Sequence, residues 1–335
     1  MSSPKISVIV VAYMAQDVIS DCIESLLKQT YSKEKYEIIV VIDDSETFNV
    51  ARKYSSSNAP QIKIEYRTKR GNIPSARNAG IYLSKGEVIA FTDSDCVVHE
   101  RWLEQLGEKL ERFSTLVGVG GAVRPFSLDP ISRALALLNM VSWSGGEESL
   151  KKHLATSNAA YRRDVLTEVG GFDEGASVGE DVDLYRRVAQ QAYHVLYDPG
   201  IIVYHKHRMR LRDIFFWCYS SEKKFIYILK KYKLYLPLIR QVTPALTLLA
   251  LLTSVFILDL TSALLLVSIL ATLTYVMIFL FFGRNEYFSC KTGAILPIIV
   301  LTISFGFALG LVAGYFDSIR STYRLPKWLS NINRH

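Results

Sequence analysis

The sequence contains few cysteines, and their spacing excludes whole classes of protein. The four cysteines, Cys22, Cys96, Cys218 and Cys290, are widely separated along 335 residues. They form neither a Cys-X-X-Cys pair nor the closely spaced framework of a small disulfide-rich extracellular domain. We therefore expect ordinary reduced thiols.

The beginning of the sequence lacks the pattern of a secretory signal peptide. It has no charged segment followed by an apolar segment and a small-residue cleavage site. The short apolar run from Lys5 to Ala12 is typical of a strand instead. We expect the soluble part of the chain to stay in the cytoplasm.

Positive charge is in excess and unevenly distributed. Lysine and arginine number 39 against 32 aspartates and glutamates, which gives a net charge of +7. Much of the excess precedes the first long apolar run, at Arg208, Arg210, Arg212, Lys223, Lys224, Lys230, Lys231, Lys233 and Arg240. This location favours membrane lipids with anionic headgroups as partners, and not nucleic acid. A solvated basic helix is the alternative.

Long apolar runs dominate the C-terminal third, at about 238–258, 260–282 and 294–316. Each is near the length of about 20 residues that a helix needs to cross a bilayer. A buried helical bundle in a soluble protein is the alternative. We predict a multi-pass cell-membrane protein, with an interface helix at 211–237, an all-α transmembrane region at 238–318 and a basic tail at 319–335. The tail conflicts with the positive-inside rule if the third run crosses completely, so the path of that run stays open.

Strand-like and helical patterns alternate over the first 91 residues. Strands are predicted at 6–12, 37–42, 62–66 and 88–91, and helices at 17–28, 49–54 and 75–84. This rhythm is typical of a mostly parallel sheet. Because the strands are near-continuous apolar runs, helices should cover both faces. We predict an α/β domain over residues 1–210, with shorter strands and helices from 117 to 207.

Two carboxylates follow the strand predicted at 88–91. Asp93 and Asp95, separated by Ser94, lie beyond its carboxyl end, where ligands bind in open α/β sheets. Carboxylates at this spacing suit a hard cation such as Mg²⁺ or Mn²⁺, which neutralises a diphosphate. An Asx turn that caps the next helix is the alternative.

A second acidic group, Glu180, Asp181 and Asp183, begins a predicted helix. Acidic residues in a first turn satisfy free N–H groups and the helix dipole. A carboxylate at this place is equally suited to remove a proton from a hydroxyl nucleophile. The residues alone leave both interpretations open.

Three further polar residues lie at predicted element ends. Asp43 ends the second strand and is suited to a hydrogen bond with a nucleoside, and Arg77 in the segment after Pro74 is suited to phosphate charge. His205 ends a predicted strand, where a histidine can complete a metal site. A surface salt bridge for Arg77 and a simple strand-end position for His205 are the alternatives.

In this order the residues resemble family 2 glycosyltransferases of the GT-A fold, a large inverting class. The match covers about residues 5–207. It rests on Ile6 to Tyr13, Asp43-Asp44-Ser45, Ser75 to Gly80, Asp93-Ser94-Asp95, Ser157 to Arg163, Gly170 to Glu174, and Glu180-Asp181 followed by Arg186-Arg187. The Gln-X-X-Arg-Trp motif of processive members is absent from the sequence, so transfer of a single sugar is favoured.

The resemblance implies a role for each matched residue. Asp43 would contact the nucleobase, and Asp181, with Glu180 beside it, would be the general base. The other implied sites are donor binding by Ala12, Tyr13, Arg77, Asp93 and Ser94, metal binding by Asp95, Asp93 and His205, and acceptor binding by Asn158 and Arg187.

The implied reaction moves a sugar from a nucleotide-sugar donor to a hydroxyl of a lipid-linked saccharide, with Mg²⁺ or Mn²⁺. A membrane region beside the catalytic domain would keep enzyme and acceptor on one surface. A polyprenyl-phosphate sugar synthase and a nucleotidyltransferase are the alternative enzymes. A non-catalytic membrane scaffold is the alternative from another class, and it would tolerate loss of Asp93 and Asp95.

Overall fold

The computed structural model describes residues 5–143, 148–151, 154–206, 210–233 and 289–322. The chain divides into two compact units. The first comprises Met1–Leu128 and Leu138–His207, and the second comprises Asp129–Leu137 and Arg208–His335. The apolar runs predicted at 238–258 and 260–282, and most of the basic tail, lie outside the described residues.

One sheet organises the first unit. Its strands are β1 Ile6–Ala12, β2 Tyr36–Ile42, β3 Gln61–Tyr66, β4 Val88–Asp93, β5 Cys96–Val98, β6 Leu116–Pro125, β7 Ser149–Lys151, β8 Ala159–Arg162 and β9 His194–His205. They lie in the order β3-β2-β1-β4-β8-β6-β9-β5, and β7 pairs with β9.

The direction of the strands changes across the sheet. Strands β3, β2, β1 and β4 are parallel, as the βαβ rhythm predicted. Beyond β4 the sheet is mixed, because β8 runs antiparallel to both β4 and β6 while β6 and β9 are parallel. The expectation of short strands after 117 is wrong for β6 and β9, which have 10 and 12 residues.

Helices follow the strands of the first unit. They are α1 Ile19–Leu27, α2 Ser45–Ala51, α3 Ile73–Leu83, α4 Trp102–Arg112, α6 Arg163–Glu168 and α7 Glu180–Gln190. Helix α5, Pro130–Trp143, has residues in both units. Short 3₁₀ turns lie at Lys33–Lys35, Arg52–Tyr54 and Thr156–Asn158. Asn72 and Ser75 form a capping box that starts α3, and Pro74 lies in its first turn.

Apolar side chains cover both faces of the sheet. On β1, Val8 and Val10 belong to one core cluster, and Ile9 between them belongs to another. Alternation of this kind follows from the two-residue period of a strand. The first cluster includes Leu26 of α1 and the second includes Leu184 of α7. The prediction of helices on both faces is therefore confirmed.

Asn158 is a buried polar side chain that links three elements. Its Oδ1 accepts a hydrogen bond from Trp102 Nε1 at 2.8 Å. Its Nδ2 donates to the carbonyl oxygens of Ala122 in β6 and Ile201 in β9, each at 2.9 Å. Because Asn158 is 1% exposed, water cannot replace these bonds.

The second unit contains α8 Leu211–Tyr232 and α9 Cys290–Thr322, which pack along each other. Gly306, Gly310 and Gly314 of α9 face α8, and a Cβ at Gly310 would lie 2.4 Å from the carbonyl oxygen of Tyr219. Only glycine permits this close approach of the two backbones.

The third predicted apolar run is a continuous helix. Within the described residues, Lys291–Asp317 is long and apolar enough to cross a membrane by length and composition. At about 1.5 Å per residue, its 27 residues extend about 40 Å, more than the hydrocarbon core of a bilayer. The multi-pass topology stays a prediction because the other two runs lie outside the described residues.

Replacing Asn158 with alanine should lower the stability of the first unit. The indole N–H of Trp102 and two buried carbonyls would lose their partners, at a cost of about 1–3 kcal/mol for each unsatisfied group. Thermal unfolding of the full chain in detergent measures the change. Asn58→Ala, at an exposed asparagine, is the matched control and should leave the midpoint unchanged. Equal midpoints for both variants would contradict the structural role of Asn158.

Candidate active site

The carboxyl ends of β1, β2 and β4 meet at one edge of the sheet. The register pairs Ala12 with Ile42 and Val11 with Asp93. The residues that follow these strands therefore converge, as expected for parallel strands. Tyr13, Asp43 and Asp93, predicted separately from the sequence, lie along this edge.

Asp43 is held in place by an arginine that the sequence reasoning missed. Arg67 donates from Nε and Nη2 to the two carboxylate oxygens of Asp43, at 2.6 and 2.5 Å. The backbone N–H of Gly71 donates to the same carboxylate at 3.0 Å. The position of Arg67, directly after β3, was the available signal, because β3 is parallel to β2 and ends at the same edge.

Asp44 binds backbone N–H groups of two segments near this edge. Its carboxylate accepts from the N–H groups of Thr47 and Met14, each at 2.8 Å, and so caps α2. Burial favours the neutral acid, but these hydrogen bonds outweigh it and lower the pKa of Asp44. Met14 has a left-handed backbone, with φ of 52°. The bond to Asp44 holds this turn beside Tyr13.

Tyr13 and Arg70 form an exposed aromatic and cationic pair. The guanidinium carbon of Arg70 lies 3.8 Å from the centroid of the Tyr13 ring. Tyr13 is 42% exposed, so its ring is accessible to a ligand. Ala12 is the buried last residue of β1, and Ser94 is half-buried after β4.

Arg77 joins the two acidic groups that the sequence singled out. Its Nη1 donates to Glu180 Oε1 at 2.5 Å, and its Nη2 donates to Asp93 Oδ1 at 2.9 Å. Arg77 is 3% exposed. Burial opposes its charge, but the attraction of Glu180 and Asp93 prevails and raises the pKa of Arg77. The alternative of a surface salt bridge is therefore wrong, since the guanidinium is buried.

Glu180 and Asp181 open α7 after a glycine with a left-handed backbone. Gly179 has φ of 78°, which side chains other than glycine rarely adopt. Glu180 is 9% exposed, and burial raises its pKa even though Arg77 acts in the opposite direction. The Asp181 carboxylate accepts from the N–H of Val182 at 2.8 Å. In the first turn of α7, Asp181 therefore accepts from a backbone N–H group, and Glu180 binds Arg77.

Two asparagines of the α3 segment position the loop that leads to α7. Asn78 accepts from the N–H of Phe172 at 2.8 Å and donates to the carbonyl of Phe172 at 2.9 Å. Asn72 donates to the carbonyl of Glu174 at 2.6 Å. Because Arg77 lies on the same helix, α3 aligns both acidic groups.

A potential metal site lies at the junction of β5 and β9. Antiparallel pairing places Cys96 opposite His205, next to Asp95. His205 Nε2 lies 3.5 Å from Asp95 Oδ1, and ligand atoms of Asp95, Cys96 and His205 lie within 4.8 Å of one another. Carboxylate and imidazole suit Mn²⁺, whereas burial raises the pKa of the Cys96 thiol and disfavours the thiolate. Asp95 and His205 therefore fit a divalent ion. Asp93, two residues before Asp95, accepts a hydrogen bond from Arg77.

The two residues predicted to bind the acceptor have internal partners. Asn158 makes the three buried hydrogen bonds described above. Arg187 is paired with Asp183, from Nε at 2.8 Å, and donates to the carbonyl of Val169 at 2.5 Å. These contacts favour structural roles, and an acceptor contact by either residue stays a prediction.

Two family models match the chain. Glycosyl transferase family 2 matches residues 7–170, which contain β2, β4, Asp93 and Asp95. Glycosyl transferase family group 2 matches residues 136–283.

Two similar proteins come from Haloferax volcanii. Glycosyltransferase AglE of Haloferax volcanii is 30% identical over 213 residues, which is 61% of this chain and 68% of AglE. Glucosyl-dolichyl phosphate glucuronosyltransferase of the same organism is 29% identical, and the match covers 50% of this chain and 56% of that protein.

A solved structure shares the fold. Mannosyltransferase PcManGT from Pyrobaculum calidifontis, in complex with GDP-Man and Mn²⁺, superposes with a TM-score of 0.67 at 18% identity. The match covers 95% of this chain and 88% of that one. The predicted GT-A-like architecture is thereby confirmed.

Replacing Arg77 with methionine should destabilise the first unit in a pH-dependent way. The change leaves the buried Glu180 without its cation, which typically costs about 3–5 kcal/mol. Burial would then raise the pKa of Glu180 further in the folded state. Between the pKa values of the unfolded and the folded state, the folded protein binds a proton that the unfolded chain has released. Stability therefore falls as the pH rises from the unfolded-state pKa to the folded-state pKa. Thermal unfolding at pH 5 and pH 8 should show the larger deficit at pH 8.

The matched control is Arg77→Met combined with Glu180→Gln, which removes the buried charge as well. This double variant should recover part of the stability at pH 8. A deficit of equal size at both pH values would contradict the coupling between Arg77 and Glu180.

Proposed function

Because the chain belongs to glycosyltransferase family 2 and is a glycosyltransferase, we propose that it transfers one sugar from a nucleoside-diphosphate sugar to a hydroxyl group of a lipid-linked glycan. The reaction inverts the configuration at the anomeric carbon and uses a divalent metal. One observation carries the proposal: Arg77 binds the carboxylates of both Asp93 and Glu180. It therefore holds the acidic residue proposed to lie near the diphosphate and the one next to the proposed base Asp181 in one site.

The donor nucleoside binds along the ends of β1 and β2. Asp43, fixed by Arg67 and Gly71, presents hydrogen-bond acceptors there, and the exposed ring of Tyr13 offers a surface for the base. Arg70 beside this ring adds a positive charge that suits a phosphate or an electron-rich base. Both features support a nucleotide as the ligand of this edge.

The diphosphate binds at the end of β4. Asp93 and Asp95, with His205, would hold Mg²⁺ or Mn²⁺, which supplies positive charge to the departing diphosphate when bound. Mn²⁺ in the solved PcManGT complex supports a metal of this kind. Arg77 donates a hydrogen bond to Asp93 and orients its carboxylate, so the part of Arg77 in diphosphate binding is indirect.

Asp181 is the general base. It takes the proton of the acceptor hydroxyl as the oxygen forms its bond to the anomeric carbon, and the bond from that carbon to the diphosphate oxygen breaks. Attack opposite the leaving group inverts the configuration. The Glu180 carboxylate is buried and bound to Arg77, which favours Asp181 as the proton acceptor of the pair.

Two observations support a lipid-linked acceptor. The glucuronosyltransferase of Haloferax volcanii, by its name, acts on a glucosyl-dolichyl phosphate. The second unit of this chain contains a helix long and apolar enough to cross a membrane. An enzyme and an acceptor on the same surface meet at a raised effective concentration.

Metal-dependent release of a nucleoside diphosphate tests the donor side. Purified full-length protein with Mn²⁺ and a panel of nucleotide sugars should release the diphosphate slowly, and EDTA should abolish the release. Asp95→Asn should lower the rate by about 100-fold, since loss of a ligand or its supporting partner typically costs 10–100-fold or more. Glu65→Gln, at a strand residue away from the proposed metal ligands, is the control. Metal-independent release that persists in Asp95→Asn would contradict the proposed metal site.

Asp181→Asn tests the acceptor side. If the nucleophile is a hydroxyl, this variant should lose transfer by about 10²–10⁴-fold, the usual contribution of a general base. Binding of the nucleoside diphosphate, followed by calorimetry, should stay within about twofold of the wild type. Full transfer activity in Asp181→Asn would instead indicate an acceptor that is already ionised, such as a polyprenyl phosphate.

A further inference from the structure

A groove of about 540 Å³ lies between α8 and α9 in the second unit. Its lining residues are Lys223, Ile226, Tyr227, Lys230, Lys231, Gly314 and Asp317. Three lysines against one aspartate make this lining positively charged. An anionic ligand is therefore favoured over a neutral one.

The close packing of the two helices shapes the groove. A Cβ at Gly314 would lie 2.6 Å from the carbonyl oxygen of Lys223, so the backbones meet directly at this point. Lys223 Nζ is 2.7 Å from Asp317 Oδ2, which orients the lysine along the wall. Lys231 Nζ lies 5.8 Å from the centroid of the Tyr227 ring. The cations are therefore attached to a defined framework.

The groove lies at the end of the apolar segment of α9. Gly314 and Asp317 belong to the last turn of Lys291–Asp317, the candidate membrane span. The end of such a segment lies at the level of the lipid headgroups, where lysine and tyrosine are common. This position favours a lipid headgroup over a solute from the bulk water.

Large apolar side chains are exposed on the same two helices. Trp217 of α8 is 47% exposed, and Leu309, Val312 and Phe316 of α9 are 50%, 55% and 57% exposed. Exposed apolar surface of this kind marks contact with a membrane or another protein. Beside a cationic groove, it matches a ligand that has both a phosphate and acyl chains.

We propose that this groove binds the phosphate headgroup of an anionic phospholipid of the bilayer. Lys223, Lys230 and Lys231 donate to the phosphate oxygens, and the exposed apolar side chains of the two helices contact the acyl chains. Inorganic phosphate offers the same charge without the chains, so it binds more weakly. The proposal concerns the second unit alone and does not depend on the transfer reaction.

Native mass spectrometry of the full-length protein in a neutral detergent tests the proposal. Phosphatidylglycerol should bind in preference to phosphatidylcholine, because only the former has a net negative headgroup. Lys230→Gln with Lys231→Gln should weaken phosphatidylglycerol binding by about tenfold or more, the effect of two lysines near a lipid surface.

The matched control is Lys224→Gln with Lys233→Gln. These lysines are exposed on or directly after the same helix, outside the groove lining, and their loss changes the net charge by the same amount. The control should change the affinity by less than about threefold. The midpoint of thermal unfolding should be the same for both double variants and the wild type, because all four lysines are exposed.

Four outcomes would overturn the proposal. Equal binding of phosphatidylglycerol and phosphatidylcholine would remove the role of charge, and equal losses in the two double variants would indicate a general electrostatic effect. Displacement of the lipid by an equal concentration of inorganic phosphate would indicate a free-phosphate site. Binding of a polyprenyl phosphate but not of phosphatidylglycerol would indicate a lipid-carrier site.

Discussion

The buried guanidinium of Arg77 is the interaction on which the candidate active site depends. It pairs with Asp93 at the end of β4 and with Glu180 at the start of α7, two carboxylates that would otherwise repel each other. A buried charge is expensive unless it is paired and hydrogen-bonded. The pairing therefore allows acidic groups from distant parts of the chain to lie in one site.

The change of strand direction after β4 is the second feature that determines where the candidate site residues lie. Parallel strands place the residues proposed to bind the nucleoside at their carboxyl ends. The antiparallel β8 then lets the sheet continue through β6 and β9, and pairing of β9 with β5 returns His205 to Asp95. Asn158 fixes this half of the sheet through its bonds to Ala122 and Ile201. The proposed metal ligands Asp95 and His205 thus depend on a strand pairing that is remote in sequence.

The second unit follows different rules. Glycines at a spacing of four residues let α9 pack backbone to backbone against α8, while the outer faces expose large apolar side chains. In a water-soluble protein such a surface is unfavourable, whereas beside a bilayer it is not. The lysines at the end of this helix pair are consistent with a position at the headgroup level.

Elements with local signals could be predicted from the order of the amino acids alone. The strands β1 to β4 and the apolar helix α9 are examples, because an apolar period acts within a few positions. The fold class and the family resemblance followed from motifs in order along the chain. The partners of Arg77, Arg67 and Asn158 became apparent only from the folded chain, since they are remote in sequence and an arginine or asparagine alone does not specify them. The mixed half of the sheet belongs to the same category, because long-range pairing of β8 with β4 and β6 leaves no local pattern from which direction can be read.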